Sequence, residues 1–212
     1  MQLQYVFYFD STRCTGCRTC MVACQDYKGL EAGTALRRVY DYEGGSWEVC
    51  DDGTWLQDSF VYHLSLSCNH CGAPACVQVC PTGAMHRDDE TGLVLVDDRV
   101  CVGCGYCQLA CPYNAPHVSP VKHQCVKCDG CRDRVLEGLL PVCVQACPLR
   151  CLDFGPAEDI VSRPGCVDAI APMPDSHYTM PNVVIRPCKA ARAPGDTDGH
   201  VANLREVKPE RA

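Results

Sequence analysis

The sequence is poor in aromatic residues, in positive charge and in long hydrophobic runs. Lysine and arginine number 19 against 26 acidic residues, which gives a net charge of -7, and the longest basic run is Arg37–Arg38. This balance excludes the broad positive surface on which nucleic-acid binding depends. The apolar stretches Tyr5–Phe9 and Gly138–Val144 fall well below the roughly 18 residues of a membrane span, so the chain is not expected to cross a bilayer.

Local signatures of common catalytic sites are also missing. The sequence contains no GxGxxG after a strand, no P-loop, no nucleophile elbow and no HExxH. The first residues lack a basic region, and their short apolar stretch runs directly into Cys14, so no cleaved signal peptide is predicted. We therefore expect a protein without a catalytic site of its own, and any export would depend on another protein.

Cysteine is the abundant residue, with 21 in 212, and 17 glycines and 15 prolines indicate many turns. Few other hydrophobic residues are left for a core in a chain of this length. Part of the folding free energy is therefore expected to come from a group that the cysteines bind. The composition disfavours helical bundles and large doubly wound sheets.

Sixteen of the cysteines form four groups of four. The groups are Cys14, Cys17, Cys20 and Cys24; Cys68, Cys71, Cys76 and Cys80; Cys101, Cys104, Cys107 and Cys111; and Cys128, Cys131, Cys143 and Cys147. Three cysteines at such spacing can wrap one iron–sulfur cubane, while the fourth, usually followed by proline, points at a neighbouring cluster as in two-cluster ferredoxins. Pro81, Pro112 and Pro148 follow the later groups, and Gln25 takes this place in the first. Four complete groups predict four [4Fe-4S] clusters.

Two other interpretations of the cysteines are less favoured. A disulfide framework does not require a repeated three-residue spacing, and an odd number of cysteines does not suit it. A structural zinc site usually separates two CxxC pairs by a long loop, whereas here the thiols are crowded together. Five cysteines outside the groups are interpreted as core residues without a ligand role: Cys50, Cys125, Cys151, Cys166 and Cys188.

The spacing leaves two pairings of the groups open. Sequential pairing joins the first group with the second and the third with the fourth. Nested pairing joins the second with the third, and the first with the fourth. Under nested pairing the four ligand sets are Cys14, Cys17, Cys20 and Cys147; Cys68, Cys71, Cys76 and Cys111; Cys80, Cys101, Cys104 and Cys107; and Cys24, Cys128, Cys131 and Cys143.

The segments between the groups predict an α+β fold of two pseudo-symmetric ferredoxin modules, one nested in the other. Residues 5–10, 60–67 and 92–100 are rich in β-branched and aromatic residues and predict short strands, while short helices are expected after each fourth cysteine. Residues 183–187 are a further candidate strand. The predicted organisation is an outer module (1–37 and 121–155), a hairpin insertion (38–67), an inner module (68–120) and an extended C-terminal tail that lies on a partner (156–212).

Several polar residues near the cysteines have an ordinary interpretation. Arg13, Arg18, Lys127 and Arg132 are interpreted as solvated charges, although cations at these places can also adjust the cluster potentials. His70, inside the second group, is interpreted as a loop histidine without a ligand role.

The strings around the groups resemble the iron–sulfur electron-transfer subunits of the bacterial dimethyl sulfoxide reductase family. The resemblance is carried by CPTGAMH after the second group, CPYNAP after the third, KCDGCRDRV at the start of the fourth and CPLRCLDFGP at its end. It also covers QYVFYFDSTRCTGCRTC, RRVYDYEGGSW and PNVVIRP. It implies that the sixteen group cysteines are ligands in the nested pairing. It also implies that Cys125 is an extra, and that the complete third group holds a [4Fe-4S] cluster.

The same resemblance implies partners and a location. The chain is expected to be a non-catalytic subunit between a molybdopterin catalytic subunit and an integral membrane subunit that oxidises quinol. The complex would reduce dimethyl sulfoxide or N-oxides in anaerobic respiration; similar subunits serve polysulfide, thiosulfate, tetrathionate, selenate or formate enzymes. Export with the catalytic subunit would place it on the outer, periplasmic face, with the cytoplasmic face as the alternative. A zinc scaffold that organises partners is the alternative of another class.

Overall fold

The computed structural model describes residues 3–207. Residues 1, 2 and 208–212, which the sequence assigned to the outer module and the tail, lie outside the described residues. The strands are β1 (Tyr5–Asp10), β2 (Arg38–Gly44), β3 (Trp47–Val49), β4 (Trp55–Gln57), β5 (Phe60–Leu66), β6 (Met85–Arg87), β7 (Val94–Val96), β8 (His117–Val118), β9 (Cys125–Val126), β10 (Leu152–Pro156), β11 (Val183–Arg186) and β12 (Gly199–Val201). The helices are α1 (Thr19–Tyr27), α2 (Ala75–Gln78), α3 (Tyr106–Ala110), α4 (Arg132–Leu136), α5 (Val142–Gln145), α6 (Ala157–Ile160) and α7 (Leu204–Val207). Mixed helix and strand content is confirmed. Within residues 3–207, every helix is too short or too polar to traverse a lipid bilayer.

Strand β1 is the centre of a three-stranded sheet with the order β10–β1–β11. It pairs antiparallel with β10, where Phe9 lies opposite Leu152, and parallel with β11, where Phe9 lies opposite Ile185. These three side chains are buried in the main core. The strands predicted over 5–10 and 60–67 and at 183–187 are confirmed, while the one predicted over 92–100 is shorter.

The insertion forms two antiparallel hairpins, and a strand of the tail adds a third strand to the first of them. Strands β2 and β5 pair antiparallel from Arg38 opposite Leu66 to Gly44 opposite Phe60, and β12 pairs with the other edge of β2. Beyond them β3 and β4 form a second, distal hairpin. Gly45 joins the two hairpins with φ 94°, and a Cβ there would come 2.6 Å from the Cα of Ser59, so only glycine fits this close approach.

The positions of the short helices correct a prediction. Helices were expected after each fourth cysteine, but α2, α3 and α5 lie before it and end at or just ahead of it. Proline disfavours helical geometry in the residue that precedes it, so a cysteine before proline cannot continue a helix. Gln25 removes this block in the first group, and α1 runs past Cys24 to Tyr27.

The C-terminal tail also differs from the expectation. It is predicted to be extended, and this is wrong for the described part, which contains short helices and strands. Buried apolar side chains of the tail pack in the cores of this same chain; they include Ile160, Ile170, Met173, Val183, Ile185 and Val207. The Asn203 side chain accepts a hydrogen bond from the Asp41 amide at 2.9 Å and donates one to the Val39 carbonyl at 2.8 Å. The tail therefore fastens the insertion to the rest of the chain.

Candidate cluster-binding cysteine sites

All four cysteine groups share one backbone feature. The residue before the second cysteine has left-handed backbone geometry, with φ of 66° at Gly16, 45° at His70, 66° at Gly103 and 67° at Gly130. A Cβ at Gly103 would come 2.1 Å from the His123 carbonyl oxygen. Glycine at this position therefore lets the loop turn tightly between the first and second cysteines.

His70 takes the place of glycine in the second group and is built into the core. It is 1% exposed, its Nδ1 accepts the Val94 amide at 3.0 Å, and its carbonyl accepts the Asn182 side-chain amide at 2.7 Å. Burial, with the nearby charge of Lys127, holds the pKa of His70 well below its ordinary value. A neutral, hydrogen-bonded histidine thus stabilises a turn that costs a non-glycine residue about 1–2 kcal/mol. The histidine lies in a loop, as predicted, and its side chain is buried.

One cavity, here called cavity A, joins the first and fourth groups. It is partly open, with about 340 Å³ of empty space that includes solvent at its mouth, and its walls include apolar side chains such as Phe9, Val39 and Leu152. Of its cysteines, Cys17 is exposed. The cysteines that line it are Cys14, Cys17, Cys20, Cys147 and the extra Cys151.

A second cavity, cavity D, joins the second and third groups. It is also partly open, with about 340 Å³ of empty space that includes solvent at its mouth, and Met85 and Val96 lie in its wall. Cys104 is its exposed thiol. The cysteines that line it are Cys80, Cys101, Cys104, Cys107 and the extra Cys125.

The eight other group cysteines form two sets of electrostatic neighbours, called set B and set C. In set B, burial raises the pKa of Cys24 to about 12, and the nearby Cys143 and Cys131 add to the rise. In set C, burial raises the pKa of Cys76 to about 12, with contributions from Cys68 and other thiols of the set. Set B is Cys24, Cys128, Cys131 and Cys143. Set C is Cys68, Cys71, Cys76 and Cys111. By the same convention, the group cysteines of cavity A are set A and those of cavity D are set D.

The two buried sets lie next to each other. Burial raises the pKa of Cys128, and Cys24 of its own set and Cys68 of set C both contribute. Set A in turn adjoins set B, because Cys143 contributes to the raised pKa of Cys20. The order of electrostatic neighbours in these three sets is therefore A, B, C.

The thiols fit a metal cluster in their chemistry. All 21 cysteines are free thiols. Burial raises the pKa of Cys14 to about 11, so this thiol keeps its proton at neutral pH unless a cation replaces it, which is how metal binding displaces thiol protons. Four thiols around a cavity with apolar walls suit a polynuclear cluster. Within the described residues, no three His, Cys, Asp or Glu side chains converge as they would around a lone metal ion.

Among the described residues, four backbone amides donate hydrogen bonds of 3.3 to 3.4 Å to cysteine sulfurs of sets A, B and D. Hydrogen bonds to the sulfurs are one of the means by which a protein sets cluster potentials. The four bonds run from Met85 to Cys80 (3.3 Å), from Cys125 to Cys101 (3.4 Å), from Gly130 to Cys128 (3.4 Å) and from Cys151 to Cys147 (3.3 Å).

The extra cysteines fall into three kinds. Cys125 and Cys151 are buried against ligand candidates: the Sγ atoms of Cys125 and Cys107 are 3.5 Å apart, and this hydrogen bond lowers the pKa of Cys107 to about 7. Cys166 and Cys188 are half-buried beside apolar clusters. Cys50 is half-buried at the turn of the distal hairpin, outside the hydrophobic clusters, so its interpretation as a core residue is wrong.

Three of the four cations named from the sequence lie at the surface or half-buried. Arg18 pairs with Asp41 and with Glu206, and Arg132 pairs with Asp88 and Glu90. Arg13 makes one long contact, 3.4 Å, with a backbone carbonyl. The interpretation as a solvated charge fits Arg13, which is exposed, whereas Arg18 and Arg132 are half-buried in ion pairs. For Lys127 the interpretation is wrong, because the side chain is buried.

Two cations are buried among the thiols. Lys127 is 7% exposed and donates to the carbonyls of Val94 and Cys128. Arg37 is 2% exposed, donates to the hydroxyls of Ser65 and Ser67, and lies over the ring of Phe7 at 4.7 Å. No ion pair between either cation and a carboxylate is found in the described range. Arg37 was visible in the sequence only as half of a basic pair, and nothing there indicated its burial.

Comparison with known proteins shows which family this protein resembles. The model of a 4Fe-4S dicluster domain matches residues 59–157. The sequence is 53% identical over 207 residues to the B subunit of the anaerobic dimethyl sulfoxide reductase of Escherichia coli K12, covering 98% of this protein and all of that one. It is 52% identical to the subunit of the same name from Haemophilus influenzae, over 96% of this protein and 99% of that one. Protein NrfC of E. coli K12 is 37% identical over 74% of this protein and 67% of that one.

Proposed function

The protein belongs to the family of anaerobic dimethyl sulfoxide reductase B subunits, an iron–sulfur electron-transport family, and from this premise we propose that it relays electrons through four [4Fe-4S] clusters. The relay runs between a membrane subunit that oxidises quinol and a molybdopterin catalytic subunit. The observation that carries the proposal is the series of neighbouring thiol sets. Sets A, B and C adjoin in that order, Cys76 of set C and Cys107 of set D pack in one buried cluster, and sets A and D each have an exposed cysteine.

Sets A, B, C and D are the proposed ligand sets, which corresponds to nested pairing of the groups. The shared cavities A and D support this pairing, because each combines cysteines that lie far apart in the sequence. Under sequential pairing, Cys24 would take its place among the second group. Its electrostatic neighbours are instead Cys143 and Cys131 of the fourth.

When bound, a [4Fe-4S] cluster supplies reversible one-electron chemistry. The protein's own contribution is to hold the thiolates, to donate amide hydrogens to several sulfurs and to keep water out of sets B and C. All but one of the eight cysteines in these two sets are buried, and Cys111 is half-buried. A rigid, dry surrounding of this kind lowers the cost of reorganisation when charge changes.

Arg37 and Lys127 balance the negative charge of the thiolates. Burying an unpaired cation costs several kcal/mol, so each needs a nearby anion. Arg37 lies among thiols of sets A and B, and Cys143 and Cys20 help raise its pKa against the effect of burial. Lys127 lies between sets B and C, where Cys68 and Cys128 do the same. We propose that both cations stabilise the reduced state of the clusters, Arg37 where sets A and B adjoin and Lys127 where sets B and C adjoin.

Cys17 and Cys104 mark the proposed sites of electron entry and exit. Both are exposed, and each lies close in the sequence to an exposed apolar side chain, Val22 on α1 and Val102 in the third group. Apolar contact around an exposed ligand suits a partner that must exclude water when it docks.

The proposed terminal reaction is reduction of dimethyl sulfoxide or N-oxides in anaerobic respiration, catalysed by the partner and not by this protein. The names of the full-length relatives favour this substrate over polysulfide, thiosulfate, tetrathionate, selenate or formate. The proposed location is at the membrane through the partner subunits, on the periplasmic face, with the cytoplasmic face as the alternative.

Metal and sulfide analysis tests the proposal against the zinc scaffold. Protein purified without oxygen should hold about 16 iron and about 16 acid-labile sulfide per chain, as four cubanes require. Low-temperature EPR during stepwise reduction should then resolve four interacting centres. Stoichiometric zinc with little iron would reject the relay, and a stable iron-loaded monomer without a molybdopterin partner would reject the complex.

A further inference from the structure

The distal hairpin, residues 45–59, exposes aromatic surface in a protein that has few aromatic residues. It carries both tryptophans of the sequence, Trp47 at 64% exposure and Trp55 at 61%. Their ring centroids are 6.5 Å apart, in an edge-to-face arrangement. All six residues of β3 and β4 are exposed.

The two tryptophans lie on one face of the hairpin. Val49 lies opposite Trp55, and side chains alternate between faces along a strand, so Trp47, Val49 and Trp55 share a face. Each tryptophan buries roughly 150–250 Å² when fully covered. This face is therefore large enough for the centre of an interface, where tryptophan is among the residues that contribute most to binding.

The distal hairpin is negatively charged, with Glu48 on the face opposite the tryptophans and the three aspartates at its turn and base. The distal hairpin contains no lysine or arginine, and the sequence has none between Arg38 and Arg87. Hydrogen bonds from Thr54 and from the Ser46 backbone lower the pKa values of Asp52 and Asp58, which keeps both ionised. The carboxylates of the distal hairpin are Glu48, Asp51, Asp52 and Asp58.

The negative charge of the distal hairpin favours one kind of binding partner over two others. A second copy of the protein would bring the same carboxylates together, and like charges across an interface are unfavourable. Tryptophan is common at membrane interfaces, but anionic lipids attract basic segments and repel acidic ones. A protein surface with an apolar pocket bordered by lysine and arginine complements both the rings and the carboxylates.

We propose that the distal hairpin docks, through Trp47 and Trp55, into an apolar pocket bordered by basic side chains on a partner subunit. The proposal rests on the proposed function, because the partner is a subunit of that complex. The turn is pre-organised for binding: the Thr54 hydroxyl donates to Asp52 at 2.6 Å and the Ser46 amide to Asp58 at 2.6 Å. A pre-formed hairpin loses little conformational entropy when it docks.

A photo-crosslinking amino acid in place of Trp55 identifies the occupant in the intact complex. We expect a crosslink to a peptide of a partner subunit that contains lysine or arginine beside apolar residues. The same label in place of Tyr178, an exposed aromatic residue elsewhere, is the control and should not reach that peptide. A crosslink from position 55 to lipid, to a second copy, or to nothing would overturn the proposal.

Dissociation measures the contribution of the rings and charges. Trp47→Ala with Trp55→Ala should raise the rate at which the protein leaves the purified complex at least about tenfold, as expected for central aromatic residues. Asp51→Lys should also raise this rate, with Asp52 and Asp58 kept for their hydrogen bonds, whereas Glu48→Lys, on the opposite face, should raise it less. Trp47→Phe with Trp55→Phe should recover most of the stability of the complex, and Tyr178→Ala should change little.

Cluster content separates this proposal from the proposed function. Every variant should retain about 16 iron per chain, because the hairpin lies outside the cysteine groups. If the wild-type complex lacks iron or the partner, the proposed function fails. If wild type is loaded and assembled but the hairpin variants dissociate no faster, only the docking proposal fails.

Discussion

Cavities A and D have the same volume and the same complement of cysteines, yet their fifth cysteines behave differently. In cavity A, both contacts of Cys151 go to one cysteine: its backbone amide donates to the sulfur of Cys147, and its thiol is hydrogen-bonded to the same sulfur. In cavity D, Cys125 donates its amide to Cys101 and also brings its own sulfur to 3.5 Å from Cys107. A repeated motif thus builds equivalent cavities, while residues outside the motif give each one a distinct electrostatic environment.

The largest predicted effect tests whether the two cavities are equivalent in function. Cys17→Ser and Cys104→Ser should each disrupt one cluster, lower iron from about 16 towards about 12 per chain and abolish quinol-driven reduction by the complex. Substrate binding to the partner should stay unchanged. Cys50→Ser, at the hairpin turn, is the matched control. Full iron and normal quinol-driven turnover in either cavity variant would contradict its assignment as a ligand.

The buried cations Arg37 and Lys127 should each set the midpoint potentials of the clusters nearest to them. Arg37→Gln should lower the midpoint potentials assigned to sets A and B, and Lys127→Met those of sets B and C. Each shift should be on the order of 50 mV, or about 1 kcal/mol for one electron. EPR-monitored redox titration measures this, with Arg132→Gln as a surface control. The role of the buried cations would be rejected by equal shifts in the control.

Acid should destabilise the folded protein through His117, a histidine on the strand that pairs with Cys125 of cavity D. Burial and the charge of Arg38 lower the pKa of His117, on the β8 strand that pairs with Cys125–Val126, to about 4. In the unfolded chain this histidine titrates near pH 6.5, so between about pH 6.5 and 4 the unfolded chain binds more protons than the folded one. Stability conferred by neutral His117 is therefore complete above about pH 6.5 and is lost as the pH falls towards 4.

Thermal unfolding of the loaded protein at pH values of about 7 and about 5 checks this. His117→Gln cannot titrate, so its melting temperature should fall less with acid than that of wild type. His200→Gln, at an exposed position, should keep the wild-type pH dependence. The same acid sensitivity in His117→Gln and wild type would exclude His117 as the cause.

The smallest predicted effect addresses the fifth cysteines directly. Cys125→Ala removes a sulfur hydrogen bond beside Cys107 and should alter the EPR signal of the set D cluster. Cys151→Ala removes a thiol contact with Cys147 but keeps the backbone amide that donates to the same sulfur, so the set A signal should change less. Equal changes in both variants would remove the difference between the cavities.

The sequence predicted the features that depend on local spacing. The cysteine repeats led to an iron–sulfur family, and β1 and β5 were recognisable from their β-branched and aromatic residues. The helices lie before the fourth cysteine, and not after it as predicted, because a proline follows that cysteine in three of the groups. That proline constrains the backbone more strongly than the cysteine does.

Long-range packing was not predictable in the same way. The tail buries its apolar residues in short, separated stretches such as 169–171 and 183–185, so it shows no helical or strand period over a useful length. Arg37 becomes a buried cation only because β2 and β5 pair beside the first and fourth groups. Such residues acquire their role from distant neighbours.

The place of β1 at the centre of its sheet has a consequence for biosynthesis. One of its edges is covered by Val183–Arg186, so the strand made first must wait for a segment made near the end. At about 5–20 residues per second, a ribosome needs on the order of 10 to 40 s to reach that segment. During this interval the nascent chain presents an open strand and unfilled cysteine loops, so a chaperone or a cluster-delivery factor has its opportunity before the sheet closes.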